Sequence, residues 1–129
     1  MRRNTHFIGG ILFGLAGYFI LVSIQSNSIS PYSIFFDLFE ESMMIKTTLL
    51  FLFLTLGALI PDKLDPPFSP KHRKFAHSKA IFFLFIIITA LTLFLLSTQE
   101  NLVLWSLYFF LLGYISHLAL DSLTPAGLW

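Results

Sequence analysis

The sequence predicts an all-α, polytopic membrane protein with four transmembrane helices and both termini in the cytoplasm. Three observations predict it. Apolar residues make up 56% of the chain and charged residues only 12%, where a soluble domain carries about 25% charged residues. The apolar residues gather into four runs, Phe7–Ile24, Met43–Ile60, Ala80–Leu96 and Leu102–Leu120, which together contain one formal charge, Lys46. Lysine and arginine are confined almost entirely to alternate connecting segments. At ~1.5 Å of rise per residue, each run is about long enough to cross a ~30 Å hydrocarbon core. With 129 residues, the runs form a single four-helix domain, residues 1–129. The same composition excludes disorder, a coiled coil and an ordinary soluble domain. A net charge of +1 provides no basic face for nucleic acid, and the absence of cysteine excludes disulfides, thiolate metal sites and cysteine nucleophiles.

The first run follows Arg2 and Arg3, which is also how a signal peptide begins. Its four glycines, and the lack of a small-x-small cleavage site after Ser23, favour a retained helix. Gly10 and Gly14 share one face and let another helix approach closely. The segment Gln25–Ser42 has no lysine or arginine and carries Asp37, Glu40 and Glu41; its stretch Ile34–Glu41 reads as an interfacial amphipathic helix or an apolar loop. Lys46 lies near the outer end of the second run, where it can snorkel. The segment Pro61–Lys79 holds Lys63, Lys71, Arg73, Lys74 and Lys79. Ser78 is placed to cap the third helix. The loop Ser97–Asn101 before the fourth run has only Glu100. The positive-inside rule then places both termini and Pro61–Lys79 in the cytoplasm, and the chain in the cell membrane.

The remaining ionisable residues converge. His6 starts the first helix, and Asp62 and Asp65 follow the end of the second. His72 and His77 precede the third helix, and His117 and Asp121 close the fourth. Because the helices alternate in direction, all of these positions fall at the cytoplasmic end. Each has an ordinary reading taken alone: an interfacial histidine, a turn aspartate, a solvated basic loop at His72-Arg73-Lys74. His117 and Asp121 are harder to explain that way. Spaced i, i+4, they project from one face of an apolar helix, and an ionisable group at membrane depth points to function. Asp62 and Asp121 also sit at helix C-termini, where the macrodipole disfavours an anion by ~0.3–1 kcal/mol. A divalent cation would remove that penalty and the repulsion between the two carboxylates. Histidine and carboxylate donors suit zinc, manganese or iron, and carboxylate-rich sets also suit magnesium.

Thr5-His6, Ile60-Pro61-Asp62, His72-Arg73-Lys74-Phe75-Ala76-His77-Ser78 and the run from Gly113-Tyr114-Ile115-Ser116-His117 to Asp121-Ser122-Leu123-Thr124-Pro125-Ala126-Gly127 together resemble the YdjM-like membrane-bound metal-dependent hydrolases. The resemblance runs from residue 5 to residue 127. It implies an inner-membrane protein with a metal-dependent hydrolase site, in which His6, Asp62, His72, His77, His117 and Asp121 are the ligands or acid–base groups. Many members carry Pro-Asp-x-Asp. Here the acids of Pro61-Asp62-Lys63-Leu64-Asp65 are three apart, which leaves Asp65 outside the implied ligand set.

The chemistry expected is hydrolysis at the cytoplasmic membrane surface, with a divalent metal ion held by His6, Asp62, His77, His117 and Asp121. His72 serves as an acid–base group, and Arg73 and the helix start at Ser78 receive an anionic oxygen. The location suits a lipid or lipid-linked phosphoester. Membrane lipids are the expected partners, with a homo-oligomer if four short helices enclose too little of a site. Two other readings fit parts of the pattern. A metal-binding assembly protein would use the cluster structurally. A phosphohistidine-type lipid phosphatase would use His117 and Asp121 as its His-x-x-x-Asp element, but its Pro-Ser-Gly-His element is missing.

Overall fold

A computed structural model describes residues 3–25, 41–65, 75–99, 101–124 and 128. Of the interfacial segment expected at Ile34–Glu41, residues 34–40 lie outside the described residues, as do Arg2, His72, Arg73 and Lys74. Four helices, and no strand, are formed among the described residues: α1 (Arg3–Gln25), α2 (Glu41–Leu64), α3 (Lys79–Thr98) and α4 (Leu102–Ser122). All four are long and apolar enough to cross a membrane. Each of the first three starts or ends a few residues beyond its apolar run, because flanking polar residues continue the helix into the interface. Ser78 caps α3 as expected: its hydroxyl oxygen accepts from the Ile81 N–H at 3.2 Å. Asn101 caps α4 through the Val103 N–H at 2.8 Å.

The end of α2 departs from expectation. Asp62 was expected just past the helix, with Pro61 ending it. Instead α2 runs through Pro61 to Leu64, and the Asp65 N–H donates to the Pro61 carbonyl at 3.0 Å. Proline removes its own N–H from the ladder and crowds the carbonyl four residues back, but Pro61 is fully buried, and packing holds one further turn together. Asp62 is therefore a helical residue on that last turn.

α4 is the axis of the molecule. It contributes eleven buried residues, from Trp105 to Asp121, and the other three helices all pack on it. Its tightest neighbour is α2. A Cβ built on Gly57 would overlap the Phe110 carbonyl oxygen, and one built on Gly113 would overlap the Leu54 carbonyl oxygen. The two backbones touch there, and only glycine permits it. Gly10 of α1 packs against Ala58 and Ser116, so the small-residue face serves helix packing. α3 buries only Thr92 and Leu96 and exposes Phe83, Ile87, Leu91 and Phe94. Such a surface suits hydrocarbon rather than water.

The end of the bundle away from α2's C-terminus is filled by Leu21, Leu50, Leu54, Leu96, Trp105, Tyr108 and Phe109. Lys46 Nζ lies 4.5 Å from the centroid of the Trp105 ring, a cation–π placement that shelters a charge at the edge of an apolar helix. Polar side chains collect at the opposite end, where the starts of α1 and α3 meet the ends of α2 and α4.

Candidate metal centre

His6 enters from the first turns of α1, Asp62 from the last turn of α2, His77 from the turn preceding α3, and His117 and Asp121 from the last two turns of α4. These are the five residues expected to ligate a metal, and the fold of a single chain brings all five together. His77 Nε2 lies 3.3 Å from His117 Nε2 and 3.3 Å from Asp121 Oδ2. His117 Nε2 lies 3.4 Å from Asp62 Oδ1 and 3.5 Å from Asp121 Oδ2. Asp62 Oδ1 is 3.6 Å from His77 Nε2. A tetrahedral ion with bonds of ~2.0–2.1 Å to N and O ligands separates its ligand atoms by roughly 3.4 Å. His77 Nε2, His117 Nε2 and Asp121 Oδ2 therefore match the spacing of three ligands on one tetrahedral ion, and Asp62 Oδ1 lies at that spacing from the two histidines.

The protonation chemistry of the donors points the same way. His117 Nδ1 lies 2.7 Å from the Ala58 carbonyl oxygen. A carbonyl can only accept, so Nδ1 carries the proton and the Nε2 lone pair faces the cluster. An imidazole that ligates through one nitrogen and donates through the other is the usual arrangement at metal sites. The Gly57–Gly113 crossing sets this bond, since it brings the α2 backbone beside His117.

His6 completes the cluster from the side. Its Nε2 lies 3.4 Å from Asp121 Oδ1, the carboxylate oxygen turned away from His77 and His117. Its ring stacks on that of His117 at 4.0 Å between centroids. His6 also forms a group of potential metal donors with Asp62 and His117; His77, His117 and Asp121 form another.

Burial is uneven. The side chains of His6, His77, His117 and Asp121 are each 5% exposed or less, whereas Asp62 is 48% exposed. The cluster is closed on the side of α1 and α4 and open at Asp62. Four polar side chains buried in an apolar bundle are costly unless each has a partner. Here the partners are one another, or a cation set among them.

Three further groups shape the site. Asp65, left out of the expected ligand set, accepts the Ala76 N–H at 2.7 Å and faces His77 Nδ1 at 3.6 Å. Tyr114 donates to the Ala76 carbonyl at 3.1 Å. The Ala58 carbonyl had no signal in sequence, because every residue carries one. The spacing of Asp65 from Asp62 was visible, but its reach to the turn before α3 depends on tertiary packing. Ser78 stands beside His77 as the α3 cap, and the expected roles of His72 and Arg73 fall on residues outside those described.

No curated protein and no solved structure matches the chain. The family model of the YdjM inner membrane proteins matches residues 1–128. That match spans all four apolar helices and every residue of the cluster, and the chain belongs to the YdjM inner membrane protein family as a multi-pass membrane protein.

Proposed function

We propose that this protein is a membrane-embedded, metal-dependent hydrolase whose centre faces the cytoplasm and whose substrate is a lipid or lipid-linked phosphoester. The observation that carries the reading is the spacing of His77 Nε2, His117 Nε2 and Asp121 Oδ2, at 3.3–3.5 Å from one another, with Asp62 Oδ1 3.4–3.6 Å from the two histidines. A divalent ion bound there supplies Lewis acidity and lowers the pKa of water toward ~7. His77, His117 and Asp121 are the buried holding set, with His6 steadying Asp121 through its second oxygen. Asp62 is the exposed member at the rim of that set, placed to take a proton from attacking water. The water oxygen bonds to phosphorus, the ester P–O bond breaks, and the departing alcohol keeps that oxygen and gains a proton. Arg73 and the start of α3 at Ser78 supply positive potential for the phosphoryl oxygens.

The membrane setting supports the substrate class. An apolar cavity of about 120 Å³ lies between α1 and α2, walled by residues including Ile11, Leu15, Tyr18, Phe51 and Phe109. It suits a hydrocarbon chain, and the same pair of helices carries His6 and Asp62 at its polar end. The cytoplasmic orientation is supported by Lys63, Lys71, Arg73, Lys74 and Lys79, which lie between the second apolar run and the third.

Elemental analysis of purified protein, beside His117→Ala and Asp121→Ala, tests the centre. One tightly held ion in the wild type and none in the variants is the expected result, after which lipid phosphoesters are screened with that metal. A folded wild type without metal would overturn the reading. A second reading makes Asp62 a fourth ligand: no position then stays open, as in structural sites, and the centre serves assembly. Turnover on any lipid phosphoester rejects it.

A further inference from the structure

His77 reaches the cluster from a turn, whereas His6, Asp62, His117 and Asp121 are held by helices. A turn does not orient an imidazole by itself. Asp65, one residue past the end of α2, does two things at that turn. Its Oδ2 accepts the Ala76 N–H at 2.7 Å, and the same oxygen lies 3.6 Å from His77 Nδ1. Tyr114 Oη donates to the Ala76 carbonyl at 3.1 Å, so the residue before His77 is held through both of its backbone polar groups. The His77 side chain is 2% exposed and that of Asp65 14%. His77 Nδ1 is buried and has no hydrogen-bond partner at this distance. Nε2 is the nitrogen that meets His117 and Asp121.

We propose that Asp65 is a positioning residue for the metal centre: its carboxylate anchors the Ala76 amide and accepts the His77 Nδ1 proton, leaving the Nε2 lone pair directed at the ion. This rests on the metal-centre reading above. A neutral imidazole has one ring proton, and the anionic acceptor facing Nδ1 is this carboxylate, at 3.6 Å. Moving the ring by less than about 1 Å closes 3.6 Å to hydrogen-bonding distance. The two ligating histidines are then fixed by different devices. His117 is fixed by a helix carbonyl of α2, and His77 by a carboxylate at the end of the same helix. A carboxylate on the outer nitrogen also makes the ligating nitrogen more basic, which a carbonyl does less strongly.

The alternative role for Asp65 is that of a turn anchor alone, and three variants separate the two. Asp65→Asn keeps an acceptor for the Ala76 N–H and removes the charge. Asp65→Ala removes both links. Tyr114→Phe removes only the opposite anchor of Ala76. Zinc affinity is measured by chelator competition, and the His77 tautomer by ¹⁵N shifts of the metal-free, histidine-labelled full chain in detergent. The expected result is a wild-type His77 protonated at Nδ1 and a loss of that preference in Asp65→Ala. Zinc binding weakens about 10- to 100-fold in Asp65→Asn, with the melting temperature of the metal-free protein unchanged. Unaltered zinc affinity and tautomer in both Asp65 variants would overturn the proposal. So would a Tyr114→Phe variant that weakens zinc as much as Asp65→Asn does. A wild type that binds none of zinc, manganese, iron and magnesium would end the metal-centre reading, while the tautomer measurement would still decide the role of Asp65.

Discussion

Asp62 and Asp121 each stand on the last turn of a helix, yet they meet different surroundings. Asp121 is buried, with one oxygen toward His6 and the other toward His77 and His117. Asp62 presents one oxygen to the same two histidines while nearly half its side chain is exposed. A buried carboxylate shared by three imidazoles is suited to hold a cation, and an exposed one at the rim is suited to exchange protons. Asp62→Asn is therefore expected to retain the ion while lowering turnover by about 10²–10⁴-fold, the usual contribution of a general base. Metal content and initial rate on the same preparation check it; loss of the ion would make Asp62 a required ligand. The residue scale is also where the sequence was most legible. A histidine and an aspartate four apart on an apolar helix announce a paired site, and alternation of helix direction places the other three beside them. What remained hidden was the division of labour, because exposure and hydrogen-bond partners such as Ala58 are set by packing between distant segments.

Helices α2 and α4 show how an element fixes chemistry from a distance. Their backbones touch where Gly57 meets Phe110 and Gly113 meets Leu54. One residue beyond Gly57 lies Ala58, whose carbonyl holds His117 Nδ1. Gly113→Ala places a Cβ against the Leu54 carbonyl, and a backbone atom cannot rotate aside as a side chain can. The helices must separate or tilt, at a cost of about 1–3 kcal/mol for an overpacked contact. A lower melting temperature accompanied by weaker metal retention is expected, since the same shift draws the Ala58 carbonyl away from His117. A variant that melts early but keeps the ion at wild-type affinity would show that the crossing and the centre are independent. The positions of all four helices were readable from hydropathy alone. The extra turn of α2 beyond Pro61 was not. Proline is a local stop signal, and the burial that overrides it comes from neighbouring helices. Nor did Gly57 stand out, for a single glycine in an apolar run carries no mark of its crossing partner.

At the scale of the whole molecule, the chain is asymmetric from end to end. One end is packed by leucine and aromatic rings around Trp105, and the other gathers four of the six buried polar or charged side chains among the described residues, His6, His77, His117 and Asp121. Seven of the eight basic residues flank the apolar runs on one side: Arg2 and Arg3 precede the first run, and Lys63, Lys71, Arg73, Lys74 and Lys79 lie between the second run and the third. Basic loops resist translocation, so the polar end is expected to remain in the cytoplasm. The consequence for function is direct, because a centre on that face meets the inner leaflet and cytoplasmic water rather than the outside. The chain has no cysteine, so single-cysteine variants need no prior substitution of native thiols. Gln99→Cys, in the short loop between α3 and α4, should react with a membrane-impermeant maleimide in intact cells. Lys63→Cys, on the last turn of α2 beside Asp62, should react only after permeabilisation. The reverse pattern would turn the whole bundle over, moving the centre to the outer face and replacing the inner-leaflet lipid pool with the outer one as its source of substrate.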